Sequence, residues 1–290
     1  MERVFSGLWV PLVTPFTADG AVDHAALRGL VAHAKEAGVA GLVALGTTGE
    51  PAALDEAEQD AVLATVLDAS AGALPVIVGL AGIHAPTLQA RARQFARHPI
   101  AGLLVPAPYY VRPSQAGIAA HFTRLADASA VPLVLYDIPY RTAVRIELDT
   151  LLGLAAHPNI GAIKDCAGSA ETTLALIRDG RLAVLAGNDL EIFASGCAGA
   201  SGAIAASAHL RTREFVALLR ALREGRLAEA RALWHALVPL VVALGAEPNP
   251  APVKAALARL GWVRDVLRAP MTPASAALRE RLAMLACGVG

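Results

Sequence analysis

Eight short apolar runs alternate with longer amphipathic stretches over the first 225 residues, and this alternation constrains the fold more than any other feature. The runs are rich in Val, Ile and Leu and barely alternate between apolar and polar residues, which is typical of parallel strands buried on both faces. They cover residues 8–13, 41–45, 75–80, 102–105, 132–136, 160–164, 182–186 and 202–206. Eight strand–helix repeats predict an α/β fold of the closed (β/α)8 TIM-barrel type, which usually takes about 250 residues.

Helix signals support this interpretation. Helices are predicted to begin near Asp23, at Asp55 and after Ser114, and Ser114 is placed as an N-cap whose side chain can accept a backbone hydrogen bond. The structural alternative is an open doubly wound sheet, which usually carries a G-x-G-x-x-G turn after its first strand. The sequence has no such turn.

After residue 225 the strand pattern stops. Helices are predicted over residues 227–244, 251–260 and 273–286. The first two are separated by Pro248, Pro250 and Pro252, since proline interrupts a helix. We therefore predict a catalytic barrel over residues 1–225 and a C-terminal helical region over 226–290.

Composition excludes several classes of protein. Hydrophobic residues make up 55% and charged residues 17%, with a formal net charge of zero, so we expect a large core and no nucleic-acid partner. The N-terminus does not have the pattern of a signal peptide, and we expect no membrane span. Cys166, Cys197 and Cys287 are widely spaced, which favours a reduced, cytoplasmic protein. The eight histidines show no metal-ligand spacing, so no metal site is predicted.

Lys164 ends the sixth apolar run and is one of only three lysines. Active sites of such barrels lie at the carboxyl ends of the strands. A lysine inside a barrel is desolvated, which favours the neutral, nucleophilic amine and allows Schiff-base chemistry. A structural ion pair with Asp165 or Asp189 explains the position equally well.

All four tyrosines fall in two short segments after the fourth and fifth runs: Tyr109, Tyr110, Tyr136 and Tyr140. A tyrosine hydroxyl can transfer protons when a neighbouring group assists it. Tyrosines more often pack in the protein core, but tyrosines with that function are expected to be scattered along the chain.

Two features of the sequence are suited to binding the carboxylate groups of a substrate. Residues 46–50 read Gly-Thr-Thr-Gly-Glu and offer hydroxyls and backbone N–H groups, although an ordinary glycine-rich turn has the same composition. Arg141 follows the fifth run, where its planar guanidinium could clamp a second carboxylate or remain in solvent. A phosphate site near residues 199–202 is disfavoured because no lysine flanks the turn.

Together with segments 10–16, 247–254 and 267–272, these residues resemble the dihydrodipicolinate synthase and N-acetylneuraminate lyase family along nearly the whole chain. The resemblance implies a Schiff base on Lys164, proton transfer by Tyr136, and a hydroxyl relay through Thr47 and Tyr110. It also implies that Thr48 holds the pyruvate carboxylate. Further substrate contacts are implied for Gly187 and Ile204.

Thr47 and Arg141 favour the synthase branch. The implied reaction condenses pyruvate with L-aspartate 4-semialdehyde to 4-hydroxy-tetrahydrodipicolinate, in lysine and diaminopimelate biosynthesis, with no cofactor. The implied assembly is a homotetramer built from tight dimers, in which a neighbouring subunit donates the tyrosine equivalent to Tyr110. Three departures from the synthase pattern, Asp137, Tyr140 and Ala143, concern the second substrate.

Lysine-inhibited members carry polar residues at positions corresponding to Ile83 and Thr87. Neither residue offers an amide or a carboxylate, so we predict weak or absent inhibition by lysine. Three alternatives remain open: a pyruvate-dependent aldolase or dehydratase acting on a sugar-acid or aromatic aldehyde, a pyridoxal-phosphate enzyme, and a binding barrel without catalysis.

Overall fold

The computed structural model of the chain describes residues 4–286 and contains a closed barrel of eight strands in chain order. The strands are β1 (Gly7–Pro11), β2 (Gly41–Ala44), β3 (Val76–Gly79), β4 (Gly102–Pro106), β5 (Leu133–Asp137), β6 (Ile160–Asp165), β7 (Ala183–Ala186) and β8 (Gly202–Ile204). Every predicted run overlaps one of them, and the ends differ by no more than two residues. The predicted barrel fold is confirmed.

Helices follow the strands and continue after the last one. They are α1 (His24–Ala37), α2 (Glu56–Ser70), α3 (Ala85–Phe95), α4 (Gln115–Ala128), α5 (Pro139–Thr142), α6 (Leu148–Leu154), α7 (Ala170–Asp179), α8 (Ile192–Cys197), α9 (Thr212–Arg223), α10 (Leu227–Leu244), α11 (Ala251–Arg259) and α12 (Ala276–Ala286). The side chains of Asp23, Asp55 and Ser114 accept backbone hydrogen bonds at the starts of α1, α2 and α4, which confirms the predicted cap at Ser114 and the three predicted helix starts.

The chain divides into two compact units. The first contains residues 76–204 and the described residues before Leu8, and it carries strands β3 to β8. Its strands are buried along nearly their whole length, as expected of a parallel sheet covered on both faces. The parallel register places Tyr136 of β5 beside Lys164 of β6, and Asp137 beside Asp165. Two pairs of polar side chains thus stand at the carboxyl ends of neighbouring strands.

The second unit contains residues 8–75 and the described chain from Ala205 onward. It carries β1, β2, α1, α2 and the helices from α9 to α12. The C-terminal helices are confirmed, with α12 beginning at Ala276, three residues later than predicted. The domain boundary at residue 225 stays a prediction, and Cys287 lies outside the described residues.

Among the described helices, α10 alone has the length and hydropathy of a membrane span. It contains Glu229, Arg231 and Pro239, and it packs against α9 and α12. The apolar residues on its packed face, among them Trp234, Leu237 and Leu240, are buried by these contacts.

Candidate active site

Lys164 lies at the carboxyl end of β6, and only 7% of its surface is exposed. Its Nζ lies 4.5 Å from the centroid of the Tyr136 ring, on the neighbouring strand. Lys164 forms no salt bridge with any residue that the structure describes. The structural alternative, an ion pair with Asp165 or Asp189, is therefore not realised. The Asp165 carboxylate instead accepts hydrogen bonds from the Thr173 hydroxyl (2.5 Å) and the Ala167 N–H (3.0 Å).

Gly187 leaves the space that the Lys164 side chain occupies. A Cβ at Gly187 would lie 2.6 Å from Cγ of Lys164 and 2.5 Å from Sγ of Cys166. These distances are far shorter than a van der Waals contact, so any other residue would displace both side chains. The predicted substrate-binding residue Gly187 therefore also has a steric function that the sequence did not reveal.

The Cys166 thiol is a second potential nucleophile next to Lys164. It is buried, and burial raises its pKa to about 12, although the positive charge of Lys164 and a hydrogen bond with Tyr136 oppose this shift. A thiol with such a pKa is protonated at neutral pH and is a poor nucleophile. The Cys166 thiol therefore does not compete with the lysine amine.

Asp137 lies one residue beyond Tyr136 and is only 1% exposed. Its Oδ1 accepts a hydrogen bond from the Ile146 N–H (3.2 Å). Burial raises the pKa of Asp137 to about 7, against the Ile146 hydrogen bond; the nearby Asp165 carboxylate adds to the rise and Arg145 opposes it. The negative charge that the sequence suggested here is thus only partial near neutral pH.

Arg141 and Tyr110 are both exposed. Arg141 lies in α5, and its guanidinium carbon is 5.8 Å from the centroid of the Tyr140 ring. The Arg141 side chain forms no ion pair with a described carboxylate. Tyr110 is 89% exposed and has a positive φ of 70°, which is rare for a bulky residue. Packing within the chain does not explain Tyr110. By contrast, Ile204 in β8 is completely buried.

Thr47 and Thr48 belong to the second unit and form a 3-10 turn that begins three residues after β2 ends. Thr48 is 3% exposed, and its hydroxyl oxygen accepts a hydrogen bond from Nδ2 of Asn249 (2.9 Å). The Thr14 hydroxyl donates to the carbonyl oxygen of Gly49 (2.7 Å) and fixes the same turn. The sequence singled out the two threonines but not Asn249.

Lys254 is the second buried lysine, with no exposed surface. Its Nζ lies 2.5 Å from Oε1 of Glu50 and donates to the carbonyl oxygen of Val266 (2.9 Å). The Phe16 ring centroid lies 4.0 Å from the same nitrogen. These partners satisfy the ammonium group, so Lys254 is a structural residue. The only sequence signal for it was its place in segment 247–254.

The described residues offer neither a metal-binding cluster nor support for a phosphate-binding turn. Within residues 4–286, no cluster of three or more His, Cys, Asp and Glu side chains has a metal-binding arrangement. Gly202, in the glycine-rich turn considered for phosphate, packs against backbone: a Cβ there would lie 2.1 Å from the carbonyl oxygen of Gly7. The glycine is thus explained by strand packing.

A (β/α)8 barrel with a buried, unpaired lysine beside a tyrosine at the carboxyl ends of adjacent strands defines a Schiff-base aldolase type of enzyme. Comparison with known proteins narrows this class. The model of the dihydrodipicolinate synthetase family matches residues 4–286. The chain belongs to this family.

Individual relatives agree over almost the entire chain. The 4-hydroxy-tetrahydrodipicolinate synthase of Sorangium cellulosum is 42% identical over 282 residues, which cover 96% of this chain and 94% of that protein. The crystal structure of dihydrodipicolinate synthase from Thermotoga maritima has a TM-score of 0.96 at 31% identity and covers 99% of each chain. The synthase structure from Cyanidioschyzon merolae with lysine bound has a TM-score of 0.95 at 32% identity, covering 99% of this chain and 100% of that one. The family expected from the sequence is confirmed.

Proposed function

We propose that this chain condenses pyruvate with L-aspartate 4-semialdehyde to form 4-hydroxy-tetrahydrodipicolinate, in lysine and diaminopimelate biosynthesis. The observation that carries the proposal is the buried Lys164 amine, unpaired among the described residues and 4.5 Å from the Tyr136 ring centroid. The similarity to a 4-hydroxy-tetrahydrodipicolinate synthase over 96% of the chain selects this reaction from those open to a Schiff-base lysine.

The reaction begins when the neutral Lys164 amine attacks the ketone carbon of pyruvate. Loss of water gives a protonated imine, which withdraws electrons and lets the methyl group lose a proton to form an enamine. The enamine carbon attacks the aldehyde carbon of the semialdehyde, whose oxygen takes up a proton. The amine of the semialdehyde then adds to the imine carbon and displaces Lys164, which closes the ring and frees the enzyme. No cofactor takes part.

Tyr136 is the proton carrier closest to this chemistry. Its ring faces the lysine nitrogen, and its hydroxyl can move protons between the carbinolamine, the imine and the enamine. We assign Thr47 and Tyr110 to the same proton relay on the basis of the family resemblance. Thr48 holds the pyruvate carboxylate in this scheme, and the exposed guanidinium of Arg141 takes the carboxylate of the semialdehyde.

Gly187 and Ile204 complete the substrate contacts. Both contribute backbone groups in this scheme, since Gly187 has no side chain and the Ile204 side chain is completely buried. Gly187 also keeps Lys164 in place, because a Cβ there would lie 2.6 Å from Cγ of the lysine.

The assembly proposed is a homotetramer of tight dimers in the cytoplasm. Its support is a cluster of exposed large residues after β3, β4 and β5: Ile83 (48%), Tyr109 (43%), Tyr110 (89%), Val111 (54%) and Tyr140 (71%). Aromatic residues of this kind are enriched at protein interfaces. Tyr110 would then reach the site of a neighbouring subunit. The exposed Ile83 offers no polar group, which supports weak or absent inhibition by lysine.

Borohydride trapping tests the proposal. The protein is mixed with pyruvate, reduced with borohydride, digested and analysed by peptide mass spectrometry. We expect a pyruvate-dependent adduct on Lys164 and none when pyruvate is omitted. An adduct on Lys35 or Lys254, or no adduct, would overturn the mechanism.

The aldehyde is tested separately. Product formation is compared for L-aspartate 4-semialdehyde, sugar-acid aldehydes and aromatic aldehydes, each with pyruvate. We expect the highest kcat/KM with the semialdehyde. A clear preference for another aldehyde would leave the Schiff-base mechanism in place but would identify the chain as an aldolase or dehydratase acting on a sugar-acid or aromatic aldehyde. The exposed Tyr140 near Arg141 favours this second candidate function.

A further inference from the structure

We propose that Asn249 is a positioning residue that directs the hydroxyl proton of Thr48 toward the carboxylate of bound pyruvate. This inference rests on the proposed function, because it takes Thr48 as the residue that holds that carboxylate. Asn249 precedes α11 and lies 201 residues from Thr48 along the chain. The C-terminal region thereby acts directly on a residue assigned to substrate binding.

The argument starts from the hydrogen-bonding capacity of a hydroxyl group, which has one proton to donate and can accept bonds from other donors. The Thr48 oxygen accepts from Nδ2 of Asn249 at 2.9 Å. An amide NH₂ group cannot accept the hydroxyl proton, which must therefore be given to another group. No residue in the described chain accepts it. A carboxylate is an acceptor without protons of its own and fits this requirement.

The Asn249 side chain is not fully satisfied by the protein. Its Oδ1 is buried and has no hydrogen-bond partner among the described residues. Leaving a buried polar atom unpaired carries a cost in stability. An asparagine retained only for stability would not be expected to carry this cost, whereas such groups occur at functional sites.

Charged residues fix the two partners in place. Glu50 closes the Thr47–Gly49 turn with a positive φ of 52°, and its carboxylate forms the buried ion pair with Lys254. Asn249 lies two residues before α11, and Lys254 lies within its first turn, five residues further along the same segment. The turn and the segment are thus joined by a hydrogen bond and by an ion pair. This double connection keeps the donor group of Asn249 oriented toward Thr48.

The decisive variant is Asn249→Asp, which keeps the shape of the side chain but replaces the donor with an acceptor. The new carboxylate would take the Thr48 proton itself and repel the pyruvate carboxylate. We expect KM for pyruvate to rise about 10–100-fold, the effect of losing a hydrogen bond to a charged group. The kcat at saturating pyruvate should change less than threefold. Saturating pyruvate should still give the borohydride adduct on Lys164.

Two further variants separate positioning from general structural damage. Glu58→Gln weakens the bidentate pair with Arg268 (2.5 and 2.6 Å) in the same unit without touching Thr48. It should lower the melting temperature and leave KM for pyruvate unchanged. In a Thr48→Val background, Asn249→Asp should raise KM by clearly less than it does in the wild type, since the two residues act through one contact.

Each result either supports or overturns the proposed function of Asn249. A rise in KM that largely disappears in the Thr48→Val background supports the proposal. An unchanged KM in Asn249→Asp, with a normal adduct in the wild type, overturns it while the proposed function stands. If Asn249→Asp does not fold by circular dichroism, Asn249→Ser replaces it: a raised KM supports the proposal and an unchanged KM overturns it. A wild-type protein that forms no adduct refutes the proposed function instead.

Discussion

The two buried lysines of this chain have opposite surroundings. Lys254 is fully buried and has a carboxylate, a carbonyl oxygen and an aromatic ring around its nitrogen. Lys164 is 7% exposed and has the Tyr136 ring but no ion pair with a described residue. Burial lowers the pKa of Lys254, while the Glu50 carboxylate opposes that shift.

This difference separates a structural lysine from a reactive one. The Lys254 nitrogen is enclosed by the Glu50 carboxylate and the Val266 carbonyl oxygen and has no exposed surface, so a substrate carbonyl cannot reach it. The Lys164 nitrogen has no carboxylate partner among the described residues, and its neutral amine can attack a carbonyl carbon. Burial is common to both residues, so the partner of the amine decides its function. Substitutions at the two lysines and at their neighbours test this distinction.

The largest expected effect is that of Lys164→Met. Methionine keeps much of the volume and removes the nucleophile, so kcat/KM for condensation should fall by at least about 10³-fold. The free energy of unfolding should stay equal or increase, because a buried amine without an ion pair is replaced by an apolar group. Steady-state kinetics and urea unfolding check both parts. Wild-type activity in this variant would remove Lys164 from the mechanism.

Tyr136→Phe tests whether the tyrosine contributes more than its ring. Phenylalanine keeps the ring that faces Lys164 and deletes only the hydroxyl group. The rate should fall by about 10²–10⁴-fold, the usual contribution of acid–base catalysis. The comparison uses kcat with saturating pyruvate and semialdehyde. An almost unchanged kcat would restrict Tyr136 to packing around the lysine.

The regular part of the fold was predictable from the sequence. The eight strands follow from short apolar runs, and the helices predicted near Asp23, at Asp55 and after Ser114 begin at those residues. The predicted family and enzyme class agree with the relatives, which are similar along nearly the full chain. These features depend on local pattern and on ordered motifs, both of which a sequence displays directly.

The contacts that distinguish the two lysines were not predictable. Sequence position left Lys164 equally compatible with a Schiff base and with an ion pair to Asp165 or Asp189. The pairing of Glu50 with Lys254 joins residues far apart in the chain. The clash that any side chain at Gly187 would cause arises because Cγ of Lys164 lies only 2.6 Å from the position of a Cβ. Tertiary proximity of this kind has no signal in a single sequence.

Lys254→Met should destabilise the protein without acting on the chemistry directly. It leaves the Glu50 carboxylate, whose side chain is 4% exposed, buried without its cation. Breaking one partner of a buried pair costs about 3–5 kcal/mol. Urea unfolding should show this loss, and the double variant Glu50→Gln, Lys254→Met should recover part of it. A stability equal to that of the wild type would contradict the structural function of the pair.

The smallest expected effect is that of Asp137→Asn, beside Lys164 and Tyr136. In the folded protein burial raises the pKa of Asp137 from 3.8 to about 7, so the native state binds this proton more tightly than the unfolded state. The free energy of unfolding therefore falls as pH rises from about 4 to about 7 and is then constant with respect to this group. Asparagine removes this dependence and still accepts a hydrogen bond from the Ile146 N–H.

Since one pKa unit corresponds to about 1.4 kcal/mol, the free energy of unfolding of the variant should exceed that of the wild type by about 1–3 kcal/mol at pH 8 and by almost nothing at pH 4. Urea unfolding of both proteins at these two pH values decides the matter: an equal difference at both would show that Asp137 is ionised without cost and that the Lys164 side of the barrel tolerates a buried charge.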